Sequence, residues 1–407
     1  MNIVFLTLAR ISDIRERGIY HDLMRKFRDD GPQVYIVCPV ERRLRLATSL
    51  EDKYGIHILN VKTLNIQKTN VVEKGIGMLL VENQYKMAVG KYLLDVKFDL
   101  VLYSTPPITF PKVIAYLKRR NPHAMTYLLL KDIFPQNALD IGMMSKTGAK
   151  GLLYRFFRKK EKKLYALSDY IGCMSPANVE YVLKHNPEIA PVRVEVAPNS
   201  IEMFPAERID ASEQVAVRSR YGLPTDRPVF IYGGNLGKPQ GIPFLIECLA
   251  ANAMRNDCHF VVIGAGTEYA RLEAWYKDNA GLNVTLMKGL PKSEYDELAR
   301  ACDVGLIFLD HRFTIPNFPS RLLSYLENRM PVLCATDPNT DMGPIAEKNG
   351  FGYWCESNSV ESFTAILNKI LDSDVKAMGE RGYEFLRRHY LVSNTYEAIT
   401  KHFTPGI

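Results

Sequence analysis

The sequence predicts an α/β chain of two doubly wound parallel-sheet domains, facing each other across a cleft. Three observations carry that expectation. Short apolar runs alternate with helix-period stretches through the first half, giving expected strands at residues 3–7, 34–38, 56–60, 100–103, 126–130, 170–174 and 194–196. The rhythm restarts at 229–232, 260–263, 285–287, 304–308 and 332–334, each run followed by a helical stretch. Such alternation means parallel strands joined by right-handed crossovers. The length of 407 residues also exceeds what one core serves. The joint is placed at Pro198-Asn199-Ser200 through about Leu223, giving domains 1–200 and 201–385. Ligands of doubly wound sheets bind outside the carboxyl ends of the strands.

Composition narrows the class. Hydrophobic content of 47% and charged content of 24% are those of a soluble globular protein. The opening Met1-Asn-Ile-Val-Phe-Leu-Thr-Leu lacks a basic front and reads as the first strand rather than a signal peptide. No run of about 20 uncharged apolar residues suggests a transmembrane helix. Seven cysteines without a C-x-x-C pair imply reduced, buried thiols and a cytoplasmic protein. The eight histidines are dispersed, so no metal site is expected. Asp372-Ser373-Asp374, the only D-x-D, reads as a helix cap.

The net charge of +7 is unevenly spread. Arg155, Arg158, Lys159, Lys160, Lys162 and Lys163 crowd one segment with Phe156 and Phe157. Such a segment is either a solvated helix face or a patch for an anionic membrane surface. The chain has no recognisable groove-reading module, which disfavours nucleic acid. Residues 71–96 form an amphipathic stretch that either covers the core or docks on lipid.

Two segments carry chemistry. Ile231-Tyr-Gly-Gly-Asn-Leu-Gly-Lys-Pro-Gln-Gly241 joins a strand to a helix. Gly234, Gly237 and Gly241 let backbone approach a ligand; Asn235 and Gln240 supply hydrogen bonds and Lys238 a charge. The spacing is neither a dinucleotide fingerprint nor a Walker loop. The second segment, Asn317-Phe-Pro-Ser-Arg-Leu-Leu-Ser-Tyr-Leu-Glu, follows a buried strand and opens a helix at Pro319-Ser320. Arg321 in the first turn opposes the helix dipole, so it needs another reason to be there. A bound diphosphate between the two segments supplies one.

Together with Gly264-Ala-Gly266, Lys288-Gly289-Leu290, Thr105-Pro106-Pro107, Lys131-Asp132-Ile133-Phe134-Pro135, Met174-Ser175-Pro176 and Met330-Pro-Val332, these motifs resemble family 4 of the retaining glycosyltransferases. The branch resembled is that of capsule and O-antigen transferases using UDP-N-acetylamino sugars, N-acetylfucosamine among them. The resemblance spans nearly the whole chain and implies the GT-B fold. It implies an acceptor-binding, membrane-facing N-terminal domain and a nucleotide-sugar-binding C-terminal domain, with residues 386–407 crossing back to the first. Implied catalytic residues are Asp132, Lys238 and Arg321. Implied substrate contacts are Gly18, Gly234, Asn235, Gly237, Gln240, Met287, Leu290, Asn317, Pro319, Ser320, Leu322 and Ser324. No metal or other cofactor is implied.

The sequence departs from that family where two glutamates are usual. Pro316 and Ser324 stand there, leaving Ser324 or Glu327 to hold the ribose. The expected enzyme moves a sugar from a UDP-sugar to a polyprenyl-diphosphate-linked saccharide on the inner face of the plasma membrane. A sugar-nucleotide 2-epimerase and a non-catalytic nucleotide-sugar-binding protein are the rival readings.

Overall fold

A computed structural model describes residues 1–67, 69–203, 209–279 and 281–403. The chain divides into two compact units, Met1–Glu202 with Val392–Ile407, and Met203–Leu391. Unit 1 contains strands β1 (Asn2–Leu6), β2 (Gln33–Glu41), β3 (Ser49–Lys53), β4 (Ile56–Thr63), β5 (Leu100–Ser104), β6 (Met125–Leu130), β7 (Tyr170–Cys173) and β8 (Val194–Val196). Its helices are α1 (Ile19–Asp29), α2 (Val71–Tyr92), α3 (Pro111–Arg120), α4 (Gln136–Asp140), α5 (Gly148–Leu167) and α6 (Pro176–His185). The sheet order is β3-β4-β2-β1-β5-β6-β7-β8. Every pair is parallel except β3–β4.

β4 was expected as a strand at 56–60, but its antiparallel partner β3 was not. This edge strand, Ser-Leu-Glu-Asp-Lys, is too polar to show an apolar run. The two turn residues, Tyr54 and Gly55, have φ of 52° and 76°. Positive φ at both central positions matches the twist of a two-residue hairpin.

Unit 2 contains β9 (Val229–Asn235), β10 (His259–Ala265), β11 (Val284–Lys288), β12 (Val304–Phe308), β13 (Val332–Thr336) and β14 (Gly352–Glu356), in the order β11-β10-β9-β12-β13-β14. All pairs are parallel. Its helices are α7 (Ala211–Arg220), α8 (Ile242–Ala251), α9 (Tyr269–Asp278), α10 (Lys292–Arg300), α11 (Arg321–Glu327), α12 (Met342–Lys348), α13 (Val360–Leu371) and α14 (Val375–His389). The stretch expected as a joint holds α7, because Asp210 caps it by accepting from the Glu213 amide at 2.8 Å. Arg218 on α7 then pairs with Asp303 at 2.5 Å. Asp374 likewise caps α14, accepting from the Ala377 amide at 2.9 Å.

The last helix, α15 (Val392–Thr400), lies in unit 1. The Val392 amide donates to the Ile201 carbonyl at 2.9 Å, and Tyr396 packs on Phe27 with ring centroids 4.8 Å apart. All seven cysteines are free and buried.

In unit 2 the strand order reverses at β9, which has β10 on one side and β12 on the other. Such a reversal is the topological switch point where doubly wound sheets bind ligands. The β9–β12 ladder is short, pairing Phe230 with Val304 and Ile231 with Gly305. Beyond it, buried Tyr325 from α11 bridges the two strands. Its hydroxyl accepts from the Gly233 amide of β9 at 3.2 Å and lies within donating distance of two carbonyls, Ile231 on β9 at 3.1 Å and Leu306 on β12 at 3.3 Å. Gly305 makes room, since a Cβ there would sit 2.3 Å from the Tyr325 ring. Tyr325→Phe leaves those backbone groups buried without their partner. It should lower the unfolding free energy of unit 2 by about 1–3 kcal/mol in urea denaturation. A loss below about 0.5 kcal/mol, the usual range for surface changes, would mean the hydroxyl bridge is not structural.

Candidate functional site

The carboxyl end of β9 turns into the glycine loop. Gly234 takes φ +121° and Gly241 φ +58°, conformations that favour glycine. A Cβ on Gly241 would press on the Asp310 backbone at 3.3 Å, and the Asp310 amide donates to the Pro239 carbonyl at 3.0 Å. The loop after β9 and the loop after β12 are therefore in direct contact. Asn235 Nδ2 donates to Gln240 Oε1 at 2.9 Å, and the Gly237 amide donates to the same oxygen at 3.2 Å. These two side chains brace the loop against itself. Lys238 is exposed on its tip.

Arg321 reaches this loop from the first position of α11. Its guanidinium lies 4.2 Å from the Tyr232 ring centroid, and Nη2 is 3.5 Å from where a Gly234 Cβ would be. Nη1 is buried and has no hydrogen-bond partner among the described residues, and the same holds for Asn317 Nδ2. No carboxylate among the described residues pairs with Arg321. Tyr232, Tyr295 and Tyr325 surround it instead. An arginine keeps its charge, and a buried charge without a partner is costly. The arrangement leaves a positive group beside the glycine loop with no described carboxylate paired to it. Because α11 has only seven residues, the guanidinium rather than a long helix dipole supplies the field.

The other expected contacts divide. Pro319 and Ser320 lie immediately before α11, with Ser320 exposed. Leu322 is fully buried, so its side chain belongs to the core and is withdrawn as a ligand contact. Ser324 is half-buried one turn below Arg321. Glu327 ends the helix beside a cavity of about 240 Å³ lined by Cys302, Asp303 and Lys376. Cys302 and Asp303 immediately precede β12, at the amino edge of the sheet, and Lys376 lies in the first turn of α14. That placement removes Glu327 from the ribose role. Met287, paired in register with Ile263, and Leu290 in the next turn are half-buried beside the Gly264–Gly266 end of β10. Tyr232 and Tyr295 were missed. Strand alternation sets Tyr232 on the face of Phe230, opposite Ile231, which gives its face but not its contact with Arg321.

In unit 1, Asp132 follows β6. Its amide and that of Lys131 donate to Thr105 Oγ1 at 3.1 and 2.9 Å, tying the loops after β5 and β6 together. Its carboxylate accepts from Asn137 Nδ2 at 2.6 Å. Burial nevertheless pushes Asp132 up to about 6, and burial also pulls Lys131 down to about 7. Gly18 caps α1, and its amide is taken by buried Asp22 at 3.1 Å. A Cβ on Gly18 would lie 2.9 Å from His21 Nδ1, so packing explains this glycine without a ligand.

Three of the six basic residues on α5 are engaged. Arg158 pairs with Glu161 at 2.5 Å, Lys160 with buried Glu82 at 3.0 Å and Lys162 with Glu188 at 3.1 Å. Arg155, Lys159 and Lys163 are exposed at four-residue spacing, beside exposed Leu152, Leu153 and Phe156. On α2, Val81, Tyr85 and Val89 face the core while Ile76, Leu79, Leu80 and Met87 face outward.

Asp132 gives a stability signature. Its folded value lies above the ordinary 3.8, so the native state binds more protons between about pH 4 and 6. Stability contributed by this site therefore falls as pH rises through that window. Asp132→Asn keeps the acceptor for Asn137 and removes the titration. The stability of Asp132→Asn relative to the parent should rise by about 2 kcal/mol between pH 4 and pH 7. A difference independent of pH would show that this carboxyl is not raised.

Residues 214–385 match the family model described as glycosyl transferases group 1. The chain is 24% identical over 299 residues to the probable glycosyltransferase WbjE of Pseudomonas aeruginosa, covering 72% of this chain and 71% of that protein. It is 24% identical over 253 residues to the putative colanic acid biosynthesis glycosyl transferase WcaI of Escherichia coli K12, covering 61% of this chain and 60% of that one. The structure of HepE from Anabaena in complex with UDP superposes with a TM-score of 0.67 at 14% identity, over 98% of this chain and 99% of that one. The chain is a transferase of the GT-B fold, and residues 214–385 of its second unit carry the match to the group 1 glycosyl transferases.

Proposed function

We propose that this enzyme moves a sugar from a UDP-sugar to a polyprenyl-diphosphate-linked saccharide, with retention of anomeric configuration, in capsular polysaccharide or O-antigen assembly. The donor sugar is an N-acetylamino sugar of the N-acetylfucosamine type. The observation that carries the donor half is half-buried Arg321 at the β9–β12 switch point, facing the glycine loop with a buried Nη1 that no described residue accepts from. A UDP complex of the structurally similar HepE and the colanic acid assignment of WcaI support the same class. The group 1 domain favours transfer over epimerisation or binding alone.

In this reading the bond between the anomeric carbon and the β-phosphate oxygen breaks, and UDP leaves with the electron pair. Arg321 and Lys238 meet the charge that develops on the leaving diphosphate, as preorganised donors do in acyl and phosphoryl transfer. No divalent metal is needed for that task. The acceptor hydroxyl oxygen forms the new bond to the anomeric carbon and its proton is released. Asp132 takes a hydroxyl of the acceptor or of the donor sugar. Among the described residues no cluster of three or more His, Cys, Asp or Glu could hold a metal ion.

Arg321→Ala should weaken UDP binding by about 1.5–3 kcal/mol by calorimetry, the scale of a charge-assisted hydrogen bond. Unchanged affinity in a folded variant refutes the placement. Transfer should persist in EDTA. Its complete loss, restored by Mg²⁺ or Mn²⁺, overturns the metal-free mechanism.

The exposed face of α5 is proposed to lie on an anionic membrane of the cytoplasmic leaflet, where the lipid-linked acceptor resides. Arg155, Lys159 and Lys163 supply the charge; Leu152, Leu153 and Phe156 supply the apolar contact. Each basic residue near such a surface contributes about 1 kcal/mol. Replacing the three with glutamate should abolish salt-sensitive binding to anionic vesicles and leave UDP affinity intact. Equal sedimentation of the parent protein with neutral and anionic vesicles would return α5 to a solvated face.

A further inference from the structure

We infer that Tyr232 is the positioning residue that holds the two halves of the donor site in register. The inference rests on the reading of Arg321 as the diphosphate-binding group.

Tyr232 is the fourth residue of β9 and is fully buried, so it lies behind the site and touches no ligand. Its ring and its hydroxyl do different things. The Arg321 guanidinium sits 4.2 Å from the ring centroid. The hydroxyl donates to the Asn235 carbonyl at 2.8 Å, at the start of the glycine loop. One side chain therefore fixes both the cation from α11 and the backbone from β9, with Gly234 between them and 3.5 Å from Nη2 at its absent Cβ.

The cation needs such a support. With no carboxylate to pair with, a guanidinium on a flexible stem would otherwise turn toward water. Stacking on an aromatic face holds its plane and leaves its in-plane N–H groups for an anion. A carboxylate in place of the ring would hold the arginine as firmly, but would neutralise the charge that the diphosphate needs. An aromatic ring orients the cation without consuming it. Tyr295 adds a wall: its hydroxyl would lie 2.0 Å from a Cβ on Gly233, the residue next to Tyr232 in β9.

The test is a double-mutant cycle on UDP affinity and on donor KM against kcat, using the full chain. Tyr232→Phe keeps the ring and loses the hydroxyl bond; Tyr232→Leu loses both. Tyr232→Leu should weaken UDP binding about tenfold, in the range of a desolvated cation–π contact. Tyr232→Phe should recover most of that loss. In an Arg321→Ala background, Tyr232→Leu should change UDP affinity less than twofold, because its effect passes through the guanidinium. Urea denaturation of each variant separates loss of fold from loss of positioning, and Tyr232→Phe supplies the folded comparison. If Arg321→Ala alone leaves UDP affinity unchanged, the donor-site reading itself fails. If Arg321→Ala weakens binding while Tyr232→Leu is silent, or if the two losses add fully, Tyr232 does not act through Arg321 and this inference is overturned.

Discussion

One uncompensated charge organises the second unit. Arg321 is held under the glycine loop with a buried, unpartnered Nη1, over an aromatic ring and with no described carboxylate paired to it. Burying a cation in that way costs free energy, and the surrounding structure sustains it. Tyr325 bridges β9 and, through the Leu306 carbonyl, β12 where their ladder stops, Gly305 and Gly233 make room for the tyrosines, and Asp310 ties the two loops. The arginine thus lies where the sheet topology opens, and in the proposed function its charge meets the diphosphate.

Unit 1 repeats the architecture with different chemistry. Its own order reversal lies at β1, and Thr105 gathers the amides after β6 beside Asp132. Burial brings Asp132 to about 6 and Lys131 to about 7, so both groups titrate close to neutrality. A carboxyl with such a value suits a group that exchanges hydrogen bonds with a sugar hydroxyl. On the outside of the same unit, three exposed cations and an apolar ridge on α5 are set apart from three cations that structural ion pairs consume.

The parallel strands with long apolar runs were legible because fully buried strands leave continuous hydrophobic segments. β3 was not, since a polar edge strand has no such run; α7 was hidden by polar composition and a joint-like position. Within the site, Gly234 and Gly241 announced themselves by type, and Arg321 by a charge that opposes its helix. Tyr232 and Tyr295 could not be separated from ordinary core aromatics, because their meaning lies in what they touch. Glu327 shows the converse error. A helix places residues six positions apart about 9 Å along its axis, so one end of α11 faces the ligand side and the other the amino edge of the sheet.

The most direct test of the account is a crystal structure of the protein with UDP. The account predicts the diphosphate oxygens within hydrogen-bond distance of the Arg321 guanidinium and against the loop of residues 234–241, with the guanidinium still stacked on Tyr232. A diphosphate bound elsewhere, with Arg321 left unliganded, would contradict it.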